Sequence, residues 1–309
     1  MNLASAGMQN TQNVAKVLSI GMYVDTSGIN YTNPIQGLQY LKGLKEVNLI
    51  MGNEATHYTG AKAIEIGDNI LNPYNQALKS VVTTGGKVNV NSGSLTWMAQ
   101  PTQSTSGTNI IDKVYLVKVP YTDFASAKDP DTKNFLDGLE QRYGVEGVTS
   151  REKQLFNKLN DLGKGEGQIF AQAVNEMKGY QYSNTQQRIN ETGSLLDKEF
   201  SYLQDQWRNS SKDSNKIKVF GMRNEYNTDT AGVIDNESNA YGVAYVHEKE
   251  DVRMGHSQGW YAGAVNNHYK FKDLGGSREN QTMVKAGVFK TMSPAKDHNG
   301  ALQWTIAGD

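Results

Sequence analysis

The sharpest chemical motif lies at Gly255–Gly259, where Gly-His-Ser-Gln-Gly matches the G-x-S-x-G nucleophile elbow of α/β-hydrolases. In that elbow a buried strand precedes the serine and a helix follows it, so that Ser257 would attack a carbonyl carbon. Here the preceding segment, Glu248–Arg253, is too charged for a central strand, and the residues that follow alternate as a strand does. The pattern favours a hairpin turn. A Ser257 hydrolase is kept as an alternative whose acid and histidine would come from Asp273, Asp297 and His298.

Metal and phosphate chemistry has weaker signals. No two histidines have the i, i+4 spacing of a zinc-binding helix, and Gly163–Gly167 lacks the P-loop pattern. Asp297–Gly300 is too short for a calcium loop. Glu248, Glu250 and Asp251 lie at the end of a predicted strand and could hold a cation. A charged loop is the simpler interpretation of these three residues.

The chain has no cysteine, which excludes disulfides, thiolate zinc sites and cysteine nucleophiles. Trp97 is expected to be a core residue and not a stacking platform for a ligand. We therefore predict no catalytic residue, no cofactor, no metal site and no enzymatic activity.

Composition limits the partners and the location. The 309 residues include 31 basic and 32 acidic side chains, which are balanced in every third of the chain. Neither a nucleic-acid interface nor a polybasic membrane patch is therefore expected. No apolar run is long enough for a transmembrane helix, whereas transmembrane strands alternate and escape a hydropathy profile. The first residues lack the basic and apolar parts of a signal peptide.

Residues 1–128 are polar and rich in Gly and Asn, with short β-type runs separated by turn residues. The spacing of these runs is too uneven for a fixed repeat. Both an irregular β-solenoid and a β-sandwich fit the pattern. The runs lie at residues 17–24, 47–51, 87–90, 94–98 and 114–119.

Residues 129–216 have a helical pattern. Asp129 before Pro130 predicts a helix start, because a capping residue precedes a proline at the first helical position. The capping-box pattern Thr149–Glu152 predicts the start of a second helix, which Gly163 ends.

A longer helical segment without proline spans residues 166–208. Gly179 and Gly193 each weaken it by about 1 kcal/mol and mark the positions where it could break. Its middle, Gln181–Thr192, is almost entirely polar. A helix that is polar all round needs water or a polar cavity about it.

Residues 217–309 change to alternating strands, predicted near 217–227, 239–250, 258–272, 280–292 and 300–308. Most are longer than the ~5–6 residues of a typical globular strand. In the last strand Leu302, Trp304 and Ile306 share one face, and Gln303 and Thr305 the other. Long antiparallel strands of this kind fit an outer-membrane barrel, and they also fit a half-buried soluble sheet.

Together these segments resemble the C-terminal region of type V autotransporters of the fusobacterial adhesin type. The helix Gly167–Tyr180 contains the family's A-x-x-x-[LM]-x-G pattern at Ala173–Gly179. Three later segments look like the first three barrel strands, namely Phe220–Glu225, Ala240–Tyr245 and Gly259–Gly263. Asn134–Tyr143 together with Ser94–Trp97 is similar to large adhesins of this type. The order of solenoid, linker helix and strands carries the resemblance.

The resemblance implies a mixed, mainly β fold in three parts. Residues 1–128 would be the end of a passenger β-solenoid, and residues 129–216 a helical linker whose long helix threads the barrel lumen. Residues 217–309 would be the N-terminal part of an antiparallel transmembrane β-barrel. The family barrel has about twelve strands and must close on itself, so about five strands imply a fragment cut at both ends.

The implied function is export and anchoring of a surface-exposed, adhesive passenger. The expected partners are outer-membrane lipid, the barrel-assembly machinery and a host or bacterial surface receptor reached by an upstream passenger, with no nucleic acid. The expected location of the intact protein is the outer membrane and the cell surface. The alternative is a soluble β-rich binding or structural module without catalysis.

Overall fold

The computed structural model describes residues 1–3, 17–29, 33–102, 110–205, 213–230, 232–250, 256–292 and 304–309. The fold is mixed and mainly β, with parallel and antiparallel sheets accompanied by helices. The chain forms two compact units, Met1–Val174 and Asn175–Asp309. The division into three parts at residues 128 and 216 stays a prediction.

Unit 1 contains a parallel three-stranded sheet of β1 (Ser19–Val24), β2 (Glu46–Met51) and β4 (Lys87–Ser92). The three strands pair without a register shift, so Met22, Leu49 and Val90 lie side by side. On the opposite face Asn48 donates a hydrogen bond to Ser19, and Asn89 donates one to Asn48. This stack of parallel strands buries one row of apolar side chains and exposes a polar ladder.

A second sheet in unit 1 is antiparallel and has the order β3-β6-β5. Its strands are β3 (Ala63–Ile66), β5 (Trp97–Thr102) and β6 (Lys113–Lys118). All five strands predicted in residues 1–128 are found within three residues of their predicted starts, and the run predicted at 94–98 becomes β5. The short strand β3 was not anticipated.

The largest difference from the sequence-based expectation is helix α1 (Asp68–Thr83) inside the region described as strands and turns. Its buried side chains recur with helical spacing. Because Pro73 and a mixture of polar residues interrupt the segment, the spacing is easily overlooked. The buried apolar residues are Ile70, Leu71, Tyr74, Ala77, Leu78 and Val81.

Two predicted helices follow in unit 1. Helix α2 (Pro130–Arg142) is capped by the Asp129 carboxylate, which accepts a hydrogen bond from the Thr132 amide at 3.0 Å. Helix α3 (Arg151–Asn160) is capped by Ser150 and not by Thr149, so the capping-box interpretation was one residue out of register. The cap lies at Ser150 because its hydroxyl accepts from the Lys153 amide.

The core between these helices and the antiparallel sheet is aromatic and also buries the lysines Lys118 and Lys153. Tyr121, Tyr143 and Phe156 contact each other, and the Lys118 ammonium lies 3.4 Å from the Tyr121 ring centroid. Glu140 forms an ion pair with Lys118. Burial lowers the pKa of Lys118 to about 8, against the opposing effect of Glu140.

The long helical segment breaks at one of the two predicted glycines. Helix α4 (Gly167–Met177) ends before Gly179, whose φ of 76° ends the helix. Helix α5 (Thr185–Asp205) then runs for 21 residues through Gly193. Gly179 breaks the segment because its left-handed conformation is incompatible with continued α-helix.

Unit 2 is an antiparallel meander in the order β7-β8-β9-β10-β11, with α5 against one face. The first four strands have 14 or 15 residues, and all five strands predicted for this region are found. Among the described residues β7 and β11 each pair along one edge, so the sheet is open. The strands are β7 (Asp213–Tyr226), β8 (Asn236–Glu250), β9 (Ser257–Phe271), β10 (Arg278–Met292) and β11 (Trp304–Gly308).

Candidate functional site

The most distinctive feature of unit 2 is the contrast between the two faces of its sheet. We call the side that contacts α5 the helix face and the opposite side the outer face. Strand register assigns every residue to one of them: Ala244 pairs with Gly263 on the helix face, and Val243 pairs with Ala264 on the outer face. The two faces differ in what they bury.

The C-terminal half of α5 packs on the helix face through apolar side chains. Leu196 is fully buried, and Phe200 contacts the Tyr261 ring with centroids 4.5 Å apart. Gly263 makes this close approach possible, because a Cβ there would lie 2.9 Å from Phe200 and 3.0 Å from Leu196. The full cluster is Leu195, Leu196, Phe200, Leu203, Ala240, Ala244, Val246, Tyr261, Val265 and Phe289.

The N-terminal half of α5 is buried through polar contacts instead. The Arg188 side chain is 1% exposed, and its Nε and Nη2 atoms donate to Glu279 Oε2 at 3.0 and 2.5 Å. Its guanidinium also donates to the Asn184 side chain and to the Gln181 carbonyl oxygen. The Phe271 ring centroid lies 4.9 Å from the guanidinium carbon. Every side of this cation is therefore covered by protein.

One turn further along α5, Thr192 lies at the centre of a second buried network. Its hydroxyl lies 3.0 Å from the Tyr269 hydroxyl and donates to Gln281 at 2.8 Å. Asn267 donates to both hydroxyls, and the Tyr269 hydroxyl donates to the Arg188 carbonyl oxygen at 3.1 Å. Burial raises the pKa of Tyr269 to about 12, so the phenol keeps its proton at neutral pH.

Ion pairs hold α5 from the two strands on either side of it. Lys218 on β7 lies 2.5 Å from Glu199, and Lys285 on β10 lies 2.6 Å from Asp197. Both pairs are partly exposed, so each is expected to contribute less than ~1 kcal/mol to stability.

The outer face is apolar across four strands and carries no covering element among the described residues. One cross-strand row consists of Val219, Val243, Ala264 and Val284, and the next consists of Ile217, Tyr245, Ala262 and Ala286. Val219 is 78% exposed and Val284 is 74% exposed.

A mixed row flanks this apolar band on each side, and polar rows lie beyond the mixed rows. The mixed rows are Gly221, Tyr241, Asn266 and Thr282, and Asn215, His247, Trp260 and Val288. One polar row contains Arg223, Asn239, His268 and Asn280, and the other contains Asp213, Lys249, Gln258 and Lys290. On β11, Trp304 and Ile306 point to the same outer face and are 64% and 63% exposed. Thr305 lies on the helix face opposite Thr291, as predicted, whereas Leu302 and Gln303 lie outside the described residues.

The side chains of β9 divide between the two faces. Tyr261, Val265, Tyr269 and Phe271 lie on the helix face, against α5. The alternating small residues Ala262 and Ala264 lie on the outer face. Gly263 makes room for α5, whereas Gly242, Gly259 and Gly287 make room for the strand side chains Phe220, Phe289 and Tyr261.

Ser257 does not lie in a nucleophile elbow. It is the first residue of β9 and is followed by extended strand and not by a helix. Its hydroxyl donates to the Glu248 carboxylate, and burial raises the pKa of that carboxyl above its ordinary value. Asp273 instead accepts hydrogen bonds from the amide and hydroxyl of Ser277 in a turn. Gly255, Asp297 and His298 lie outside the described residues.

The other residues considered for chemistry are dispersed. His57 lies 2.7 Å from Asp161 in unit 1, and Trp97 is 1% exposed in the core, as predicted. Glu248 and Glu250 lie on β8, and Asp251 falls outside the described residues. Within the part of the chain that the structure describes, no three acidic, histidine or cysteine side chains are arranged to hold a metal ion.

In the described ranges no helix is both long enough and apolar enough to cross a bilayer.

The polar composition of Gln181–Thr192 was visible in the sequence, and Arg188 was one of only two charges in it. Its partner Glu279 was not predicted. The one available signal was a lone acidic residue on the inward-facing register of an alternating strand.

Comparison with known proteins identifies no relative of this chain. No protein-family model, no curated protein and no solved structure matches the chain.

Proposed function

We propose that the chain is a fragment of an outer-membrane autotransporter, with unit 2 the first part of its β-barrel and α5 the helix in its lumen. The observation that carries the proposal is the contrast between an exposed apolar outer face and a helix face that buries Arg188. A soluble two-layer domain has a polar outer face. Here the outer face carries an exposed apolar band between polar rows, and the helix face buries a charged side chain beside its apolar cluster.

The geometry of the strands supports the same proposal. A tilted transmembrane strand needs about 9–11 residues, and β7 to β10 have 14 or 15. The apolar row Val219, Val243, Ala264 and Val284 crosses all four long strands and lies between polar rows, as an outward-facing lipid band does.

The polar half of α5 suits a hydrated lumen, because the remaining wall of a barrel would enclose it with water and polar side chains. Gln186 and Gln187 are exposed, on positions of α5 that the described strands leave uncovered. In unit 1 the in-register parallel strands support the end of a passenger β-solenoid. The proposed partners remain outer-membrane lipid, the barrel-assembly machinery and a surface receptor for the passenger, without nucleic acid.

A labelling experiment tests which face meets lipid. The chain has no cysteine, so single variants carry one environment-sensitive fluorophore each. Val284→Cys on the outer face should give a blue-shifted emission that brominated lipid quenches in phospholipid vesicles. Ser201→Cys, an exposed position of α5, is the matched control and should remain unquenched. Equal quenching at both positions, or at neither, would contradict the lipid-facing assignment.

A second experiment addresses export in the full-length gene product. Tryptophan at both Gln186 and Gln187 should slow the appearance of the passenger at the cell surface, because bulk on the uncovered side of α5 would collide with the barrel wall. The full-length product should also be heat-modifiable and fractionate with the outer membrane. Undiminished export of the double variant would argue strongly against a threaded helix.

The competing candidate is a soluble β-rich binding or structural module. The observation in its favour is that α5 and the helix face already form a closed apolar cluster without lipid. This candidate predicts a monodisperse, detergent-free monomer whose outer face remains in water. The two candidates therefore give opposite results in the labelling experiment.

A further inference from the structure

A cleft lies beside the N-terminus of α5 in the described part of unit 2. Its volume is about 550 Å³, which lies within the ~300–1,000 Å³ of typical small-molecule sites. The cleft lies entirely in unit 2, at the end of the sheet where β9 gives way to β10. It is lined by Glu176, Gln181, Tyr182, Thr185, Phe271, Ser277, Arg278 and Glu279.

Three of these side chains offer unused binding capacity. The Tyr182 ring is 70% exposed and stacks on no other ring in the described structure. Gln181 Oε1 is buried and has no hydrogen-bond donor in the described part of the chain. Arg278 has neither an ion-pair partner nor a hydrogen-bond partner among the described residues, in contrast to Arg188 below the cleft.

The charges at the cleft nearly cancel. Glu279 is occupied by Arg188 and by the Gln281 amide, so its carboxylate has little capacity left for a ligand. The formal charges sum to zero, because Glu176 and Glu279 carry two negative charges and Arg188 and Arg278 carry two positive charges. A ligand with a net charge would therefore gain little here, whereas a neutral ligand with several hydroxyl groups would satisfy the free groups.

We propose that this cleft binds a neutral saccharide. The apolar C–H face of a pyranose ring would pack on the Tyr182 ring. Adjacent sugar hydroxyls would accept from the Arg278 guanidinium, whose N–H groups form a planar fork, and donate to Gln181 Oε1. This site shares Gln181, Phe271 and Glu279 with the surroundings of Arg188 but lies away from the outer face, so it does not depend on the proposed export function.

The test uses the full 309-residue chain, kept in a detergent without a sugar headgroup if it requires one. The probe is a printed array of neutral, sialylated and sulfated glycans, followed by saturation-transfer NMR with the neutral glycan that binds best. We expect neutral glycans to bind with a dissociation constant in the millimolar to high micromolar range. Sugar C–H protons should receive saturation from the protein.

Variants separate this cleft from adventitious binding. Tyr182→Ala should weaken binding at least tenfold, and Gln181→Leu should weaken it without changing the fold, as checked by circular dichroism. Tyr58→Ala, which removes a 60% exposed tyrosine in unit 1, is the matched control and should bind normally. Binding of acidic glycans alone, absence of glycan binding, or full binding by Tyr182→Ala would each overturn the proposal.

Discussion

The carboxylate of Glu279 on β10 neutralises the guanidinium of Arg188 on α5, although 91 residues separate them in the chain. Arg188 is almost fully buried, whereas the Glu279 side chain is 25% exposed. The two halves of the pair are therefore unequal. An unpaired cation at Arg188 would have no access to water, while an unpaired carboxylate at Glu279 would retain some.

This inequality predicts an order of stability. Glu279→Gln should cost about 3–5 kcal/mol, the range for breaking a buried ion pair, because it leaves the Arg188 charge buried. Arg188→Met should cost less, and the double variant should recover part of the loss. Urea unfolding followed by tryptophan fluorescence measures the three values. A larger loss for Arg188→Met than for Glu279→Gln would contradict the assignment.

The close approach of α5 to the sheet at Gly263 predicts a second effect. Gly263→Ala places a Cβ against Phe200, Leu196 and the Val243 carbonyl oxygen, and overpacking of this kind costs about 1–3 kcal/mol. Ala264→Val, one residue away on the outer face, is the matched control and should change the free energy of unfolding by less than ~0.5 kcal/mol. Similar losses for the two variants would show that α5 does not limit the space at Gly263.

An arginine on the outer face is expected to destabilise the protein only when that face lies in a membrane. In the full-length protein, Val284→Arg should cost about 2–4 kcal/mol if this position lies near the bilayer midplane. Ile306→Arg should behave similarly, and Thr305→Arg on the inner side should cost far less. The yield of heat-modifiable protein in the outer membrane reports the difference. Normal assembly of Val284→Arg would contradict the lipid-facing role of that side.

The isolated chain is expected to aggregate or to require detergent. Its outer face is apolar and exposed, and β7 and β11 present open edges among the described residues. A shortened chain that ends at Arg208 lacks this sheet and should be more soluble. Size-exclusion chromatography with light scattering compares the two chains. A monodisperse full chain without detergent would favour the soluble module.

Glu248 predicts a pH dependence of stability. Its pKa in the folded chain is raised, chiefly by burial, so the folded state holds a proton that the unfolded state releases above about pH 4.5. Its contribution to stability is therefore greatest at low pH and declines as pH rises through the folded pKa. Glu248→Gln should remove this decline, as measured by urea unfolding between pH 4 and pH 7.

Ser257 supplies the complementary variant. Its hydrogen bond to Glu248 favours the ionised carboxyl, so Ser257→Ala should raise the pKa further and steepen the loss of stability at neutral pH. The same variant is the control for hydrolysis: ester hydrolysis that disappears in Ser257→Ala would revive the hydrolase alternative. An unchanged pH profile in both variants would remove Glu248 as the titrating group.

The sequence by itself determined those helix ends and strands that depend only on residues adjacent in the chain. The Asp129 cap, the break at Gly179 and the five alternating strands of unit 2 follow from capping chemistry, glycine conformation and two-residue periodicity. Helix α1 was overlooked because its helical spacing lies within a segment that also contains Pro73 and turn-forming residues.

Only the tertiary structure decided which face of each strand meets the helix. Alternation separates Tyr261 from Ala262, but period-two patterning does not say which side is covered. That choice depends on where α5 finds space at Gly263 and a counter-ion at Glu279, and both are far from α5 in sequence. Burial of Arg188 is likewise a long-range property, because a charged side chain enters an interior only where a distant partner compensates for its lost hydration.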